Sequence, residues 1–274
     1  MTWHFFDIRG SISRSPRLIL GVLPGLVLLG AWWFCTAGAT VEDRIINISI
    51  LPSPAEVVQQ FFALLQSEKK RMDLLHHTWT SLWRVLQGFF LALAITLPLG
   101  IAAGAFAAVR AMTAPMMTVS GYIPIAALVP LTMSWFGTGE SQKIYFLAIA
   151  FAIFLMPQIL KAIDNVDDIY VRTARTLGAG RLQLIFRVLI PVAAPDLWHA
   201  IRLAFGVGWT YIVLTEAIVL NDGLGFVIQI AQRRGPREDV YITILLIMLI
   251  AWLADWTMAR IGEKLFPYRA EVRR

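Results

Sequence analysis

Charge is scarce in this chain. Asp, Glu, Lys and Arg make up 15% of its 274 residues, against roughly 25% in a soluble domain. The deficit accompanies 58% hydrophobic residues and a mean hydropathy of +0.66, so much of the surface is suited to lipid rather than water. A lone cysteine, Cys35, excludes an internal disulfide and any multi-cysteine metal site; it reads as a small apolar residue at the end of a span. The histidines are His4, the adjacent His76 and His77, and His199. None has a second ligand at zinc spacing, and the pair His76 and His77 reads as interfacial surface. The chain has no GxxxxGK[ST], no HExxH and no GxSxG, so it lacks the residues for P-loop nucleotide binding, zinc hydrolysis or a nucleophile elbow. No catalytic residue, metal or cofactor of its own is expected. The net charge of +6 and pI near 9.8 do not indicate nucleic acid. The basic residues flank apolar segments, where anionic lipid headgroups are the simpler partner.

What is present is a set of six apolar segments, each near the roughly 20 residues a bilayer requires. They fall at 18–37, 84–109, 115–136, 144–160, 197–220 and 240–259. The first has features of a signal peptide: Arg9, Arg14 and Arg17 precede it and Ala37-Gly38-Ala39 follows. Its apolar run is too long for one, however, and Trp32-Trp33 suits an interfacial anchor, so it is read as a retained span. The third carries Pro124 and Pro130 and should be a distorted helix of the kind that lines transporter cavities. With the N-terminus inside, fourteen Lys and Arg lie inside and nine outside, with Arg202 inside the fifth span; the bias favours both termini in the cytoplasm. The organisation is then a cytoplasmic segment 1–17, a first span 18–37, an external segment 38–83, a five-span core 84–260 and a basic tail 261–274. In the external segment, Ser53, Pro54 and Glu56 form a capping box that starts an amphipathic helix, with apolar residues from Val57 to Leu65 at helical spacing.

The most informative stretch is a charged island at 171–195, VRTARTLGAGRLQLIFRVLIPVAAP. It holds Arg172, Arg175, Arg181 and Arg187. Joining two spans takes only about two to eight residues, so a partner outside the bilayer should read this loop. Asp167 or Asp168 can cap a short helix to Leu177, Gly178 terminates it, and a second helix opens at Gly180 and ends at Pro191. Leu177, Ala179, Leu182 and Ile185 are the apolar anchors such a helix would offer a groove. Inside the spans, ionisable residues are few. Arg202 and Asp255 can pair with each other or with Arg260. Glu216 is read either as a translocation-path residue or as a buried, hydrogen-bonded strut. Trp135, Trp209 and Tyr211 join it as pathway candidates on polarity and depth.

The island resembles the cytoplasmic "EAA" loop of ABC-importer permeases. In that family an acid and two alanines precede a glycine, and a nine-residue gap leads to an I-x-L-P-like end. Here Arg172-Thr173-Ala174 stands in the first positions, Gly178 is the glycine and Val188 to Pro191 is the end, so Arg172 replaces the usual acid and Thr173 an alanine. LPSP, SLWRVLQGFFLALAITLPLG, IPIAALVPLTMSWFGTGE and NDGLGFVIQIAQ are similar to the nitrate/sulfonate/taurine and bicarbonate branch. The resemblance implies an all-α membrane protein with the type I importer permease fold, six spans and a coupling helix at about 174–181. It implies docking to a cytoplasmic ATPase, which binds ATP and Mg, through Arg172, Thr173, Ala174, Arg175, Leu177, Gly178, Ala179, Arg181 and Pro191. A second permease copy, a periplasmic solute-binding protein and the bacterial inner membrane complete the expectation, with a small anionic or zwitterionic solute as cargo. A multi-pass membrane enzyme would need convergent catalytic groups at depth. An autonomous channel or secondary transporter would need no docking loop and would show an internal repeat; neither pattern is seen.

Overall fold

A computed structural model describes residues 13–38, 44–48, 50–218 and 222–268. The first twelve residues, Ala39, Leu220 and the tail from Arg269 lie outside the described residues, as does His4. The described residues form helices throughout: α1 (Arg14–Thr36), α2 (Pro54–Gln66), α3 (Glu68–Ala105), α4 (Ala107–Ser120), and α5 (Leu128–Phe136) after a single 3-10 turn. Then come α6 (Glu140–Asp164), α7 (Asp168–Thr176), α8 (Arg181–Leu184), α9 (Ile190–Ile218), α10 (Leu224–Arg234) and α11 (Glu238–Leu265).

The core is built on α3, α6 and α9. Gly88, Gly100 and Gly104 let α3 lie flat against α6: a Cβ on them would come within 2.6, 2.5 and 2.4 Å of Leu147, Ile159 and Ile163. Both residue numbers rise together along this contact, so α3 and α6 run in the same direction. From the third helix, Gly208 of α9 gives way to the Phe151 ring. Phe89 then stands edge-on to both Phe151 and Phe205, with ring centroids 5.2 and 5.1 Å apart. Small residues at such crossings replace the hydrophobic drive that lipid removes, because close approach maximises dispersion contact. On the outside of α9, Arg202 and Asp255 of α11 form a two-pronged pair at 2.5 and 2.6 Å. This realises one of the two pairings open in the sequence and leaves Arg260 over the Trp256 ring.

α2 starts as its capping box dictates. Ser53 Oγ accepts from the Glu56 amide at 3.3 Å, and Glu56 Oε2 accepts from the Ser53 amide at 2.7 Å. Arg44 clamps the same carboxylate at 2.8 and 3.2 Å, which holds Glu56 below the usual carboxylate range. The first helix is barely attached. None of its most apolar 18-residue window is buried within the chain, and its end is tied by Trp32, which donates to the Pro52 carbonyl at 2.9 Å and stacks on Tyr241.

The sequence expectations need four corrections. The helix carrying the second span begins at Glu68, well before Arg84, because one non-helical residue, Ser67, suffices to separate it from α2. That helix stops at Ala105, where Phe106 turns to extended backbone. The third segment is two helices bent by 87° rather than one span; Pro124 cannot donate to the preceding turn and breaks the ladder. Five helices are long and apolar enough to span, and the bent pair passes that test only when its two halves are taken together. Finally, Pro191 does not end a helix. The chain widens into a π turn at Ile185–Leu189, and the Ile190 amide bonds Ile185 five residues back. That extra residue gives the proline ring room and lets the helix run on into α9. The sequence reading had no counterpart to α10.

Two outcomes test this packing. Gly208→Val should lower the melting temperature in detergent, with a loss of about 1–3 kcal/mol as its branches collide with Phe151. For Glu56 the folded value is depressed, so its contribution is full above the ordinary 4.5 and lost as pH falls through the folded value. Protection factors of α2 amides, which are corrected for the intrinsic pH dependence of exchange, should therefore fall on acidification by an amount worth less than about 1 kcal/mol, and Arg44→Gln should weaken that dependence.

Candidate coupling loop and buried charge cluster

At one end of the core the chain leaves α6 and folds the island. Asp167 caps α7 by accepting from the Ile169 amide at 2.9 Å. Arg172, Thr173, Ala174 and Arg175 lie on α7, and Leu177 is its C-terminal cap. Gly178 then takes φ +83°, a left-handed conformation that a side chain would strain. The reversal is closed by amide bonds from Gly178 to Arg175 and from Ala179 to Ala174, both at 3.0 Å. Gln183 Oε1 accepts from the Gly180 amide at 2.9 Å, and Arg181 opens α8. The turn projects Leu177, which is 82% exposed, with Leu182 at 68% and Phe186 at 65%. Ile185 was expected among these anchors. Instead it turns inward with Leu184 and Leu189 against Ile101 and Val166, because the π turn rotates that face, and Phe186 takes the outward place. Arg172, Arg175, Arg181 and Arg187 are all exposed; Arg172 sits 3.4 Å from Asp168 on its own helix. Arg110 of α4 reaches Asp164 at the end of α6 and steadies the root of the loop.

The opposite end of the core holds a buried charge cluster. Arg84 of α3 is 1% exposed and uses all five of its N–H donors. Nε and Nη2 take both oxygens of Glu140 at 2.5 Å, Nη1 takes Glu216 at 2.7 Å and the Asp222 carbonyl at 2.9 Å, and Nη2 also reaches the Asp222 carboxylate. Lys143, fully buried, lies 3.2 Å from Glu140 and 3.9 Å from Asp222. Glu216 further accepts from Ser81 Oγ at 2.8 Å and from the Gly225 amide at 2.9 Å. Ser81 accepts from the Leu224 amide at 2.8 Å, and His77 Nδ1 from the Gly223 amide at 3.2 Å. Three consecutive amides at the start of α10 are thus held by α3 and α9. Desolvation works to raise the Asp222 carboxyl, but Arg84 and Lys143 outweigh it and keep the group below its ordinary value.

The pathway candidates separate. Glu216 is 0% exposed and Trp209 3%, so neither has surface to offer a solute in this structure, and for Glu216 the strut is what the geometry supports. Trp209 keeps a buried indole N–H with no acceptor among the described residues. Trp135 on α5 is 59% exposed, and Tyr211 is half-buried, edge-on to Phe146. Sequence reasoning missed Arg84, Lys143, Glu140 and Asp222, having counted both cations as external surface charges, and it took His77 for plain interface. The available signal was Arg84 lying inside an apolar run, SLWRVLQGFF, at the same span end as Glu216.

Residues 94–266 match the family described as binding-protein-dependent transport system inner membrane component. The chain belongs to this family. The taurine transport system permease protein TauC of Escherichia coli (strain K12) is 32% identical over 266 residues, covering 96% of this chain and 94% of its own length. A putative aliphatic sulfonates transport permease protein, SsuC of Bacillus subtilis (strain 168), is 27% identical over 263 residues, covering 94% and 92%. Among solved structures, the inward-facing MetNI methionine ABC transporter aligns with a TM-score of 0.65 at 21% identity, over 72% of this chain and 98% of that one. The fold is therefore that of an ABC importer permease. This permease is a multi-pass inner-membrane subunit of an importer that works with an ATPase and a solute-binding protein, and the branch resemblance read from its sequence holds.

The cluster makes a quantitative prediction. Arg84→Met leaves three carboxylates facing one lysine, and removing one partner from a buried ionic set costs about 3–5 kcal/mol. Glu216→Gln keeps the shape and one of the two acceptor oxygens, leaves no cation buried without a carboxylate, and should cost clearly less. Thermal unfolding of the purified variants ranks the two.

Proposed function

We propose that this permease carries a small sulfonate-like or other anionic or zwitterionic solute inward, and that the turn at Leu177-Gly178 is where a cytoplasmic ATPase drives it. The observation that carries the docking reading is Leu177. It is the most exposed apolar side chain of the loop, held on a turn closed by backbone bonds, and it packs on no core of its own chain. A rigid short helix rooted in spans at both ends transmits rigid-body motion. Arg172, Thr173, Ala174, Arg175, Gly178, Ala179 and Arg181 form the docking face, and Pro191 acts behind it at the π turn. ATP and Mg belong to the ATPase. A second copy of this chain completes the pathway, with Trp135 and Tyr211 as its aromatic lining, and a periplasmic binding protein delivers the solute.

The topology on this reading puts both termini in the cytoplasm. Arg84 and Lys143 are buried rather than displayed, so the nine external basic residues fall to seven against fourteen inside, which strengthens the charge bias. The taurine and sulfonate relatives support the solute class. The test is reconstitution with the ATPase and binding protein. ATP hydrolysis should rise with taurine or a short alkanesulfonate, depend on the binding protein, and exceed the response to nitrate or bicarbonate. Gly178→Arg meets no atom within 4 Å of its Cβ but strains the left-handed turn, and it should lose uptake and ATPase co-purification. Normal uptake by that variant refutes the docking role.

A further inference from the structure

The outer face of α11 carries a continuous apolar stripe. Leu245, Leu249, Trp252 and Trp256 recur at steps of three and four residues, and all are exposed. The apolar segment they belong to, 240–259, is about 30 Å long as a helix, enough to cross the hydrocarbon of a bilayer. Trp256 stands in its last turn, the depth at which an exposed tryptophan meets the membrane–water boundary. Arg260 and Lys264 continue the same row, about 6 and 12 Å beyond Trp256. With Trp256, Thr257 and Ile261 they line a groove on the helix surface. The order along the helix is therefore apolar stripe within the membrane, aromatic boundary, then two cations on the water side.

The two cations are uncommitted. Arg260 lies over the Trp256 ring at 5.2 Å, which holds it at the boundary. Arg260 and Lys264 are exposed, and neither makes an ion pair among the described residues. Of the carboxylates nearby, Asp255 is taken by Arg202. Glu263 is exposed and forms no ion pair among the described residues, so the groove keeps a surplus of one positive charge. This end of α11 lies beside the coupling loop: Tyr268 donates to the Pro191 carbonyl at 3.5 Å, and Trp198 to the Met258 carbonyl at 2.9 Å. A soluble anion would neutralise the surplus and gain nothing from the stripe. A lipid without net charge would cover the stripe and leave the surplus. A lipid with one net negative charge satisfies both.

We propose that this face of α11 binds an anionic phospholipid of the phosphatidylglycerol type, with its phosphate between Arg260 and Lys264 and one acyl chain along Trp256, Trp252 and Leu249. The inference does not depend on the transported solute or on ATPase docking. The test is the purified full chain in detergent, titrated with phosphatidylglycerol or phosphatidylcholine and read by native mass spectrometry as the affinity for the first bound lipid. The wild type should prefer phosphatidylglycerol. Arg260→Gln and Lys264→Gln should each weaken phosphatidylglycerol binding about fivefold, the effect of one interfacial cation, and leave phosphatidylcholine unchanged. Glu263→Gln should strengthen it. All three side chains are exposed, so the variants report on binding rather than on folding. Equal affinity for the two lipids, or unchanged phosphatidylglycerol affinity in Arg260→Gln and Lys264→Gln, overturns the proposal. So does displacement of the lipid by an equal concentration of inorganic phosphate, which would make the groove a free-anion site. Disulfide cross-linking between two copies of a Cys35→Ser, Thr257→Cys variant in bilayers would put a second chain on this face, and overturns it as well.

Discussion

The architecture depends on one guanidinium. Arg84 has five N–H donors at fixed angles, and α6, α9 and the loop before α10 each supply acceptors that meet them. Removing a charge from water costs several kcal/mol even after relaxation, so this arrangement persists only because every donor is met and Lys143 offsets a third carboxylate. The consequence is geometric. Three helices share one anchor point at one end of the core, and the first turn of α10 is fastened to it through Ser81, His77 and Glu216. An interaction of this kind contributes less to net stability than to uniqueness, since any shift of α9 along α3 leaves a buried charge unmet.

Away from that anchor the core relies on close approach instead. The glycines of α3 and Gly208 bring backbones and rings into contact where larger residues would hold the helices apart. Lipid offers no hydrophobic drive for helix association, so shape has to supply it. At the far end the helices are tied more loosely, by the partly exposed Arg110–Asp164 pair, and the chain passes through a π turn before entering α9. One end is therefore pinned by a desolvated ionic cluster, while the other carries an exposed loop on a widened helical turn.

The membrane class, the capped α2 and the glycine turn at 178 were legible from residues alone, and Arg202 with Asp255 was one of two pairings left open. Each rests on local rules: apolar run length, the Ser53–Glu56 spacing, the left-handed preference of glycine, and the rarity of charge at depth. The family was legible too, because its loop and span motifs are contiguous stretches. The bend at Pro124 was half legible, since two prolines announced distortion without its angle. Other features were hidden by their dependence on partners distant in sequence. Arg84 meets Glu216 across 132 residues and Asp222 across 138, and its place in an apolar run marks it as unusual without naming those partners. Ile185 and Phe186 exchanged roles because a π turn shifts every following side chain, and its cause, making room for Pro191, is an effect of helix continuity that a proline-stops-helix rule cannot express. Sequence by itself determined that this chain enters a membrane as helices and which loop it displays. Tertiary structure alone decided which charges are buried together, because desolvation is tolerated only where distant acceptors converge.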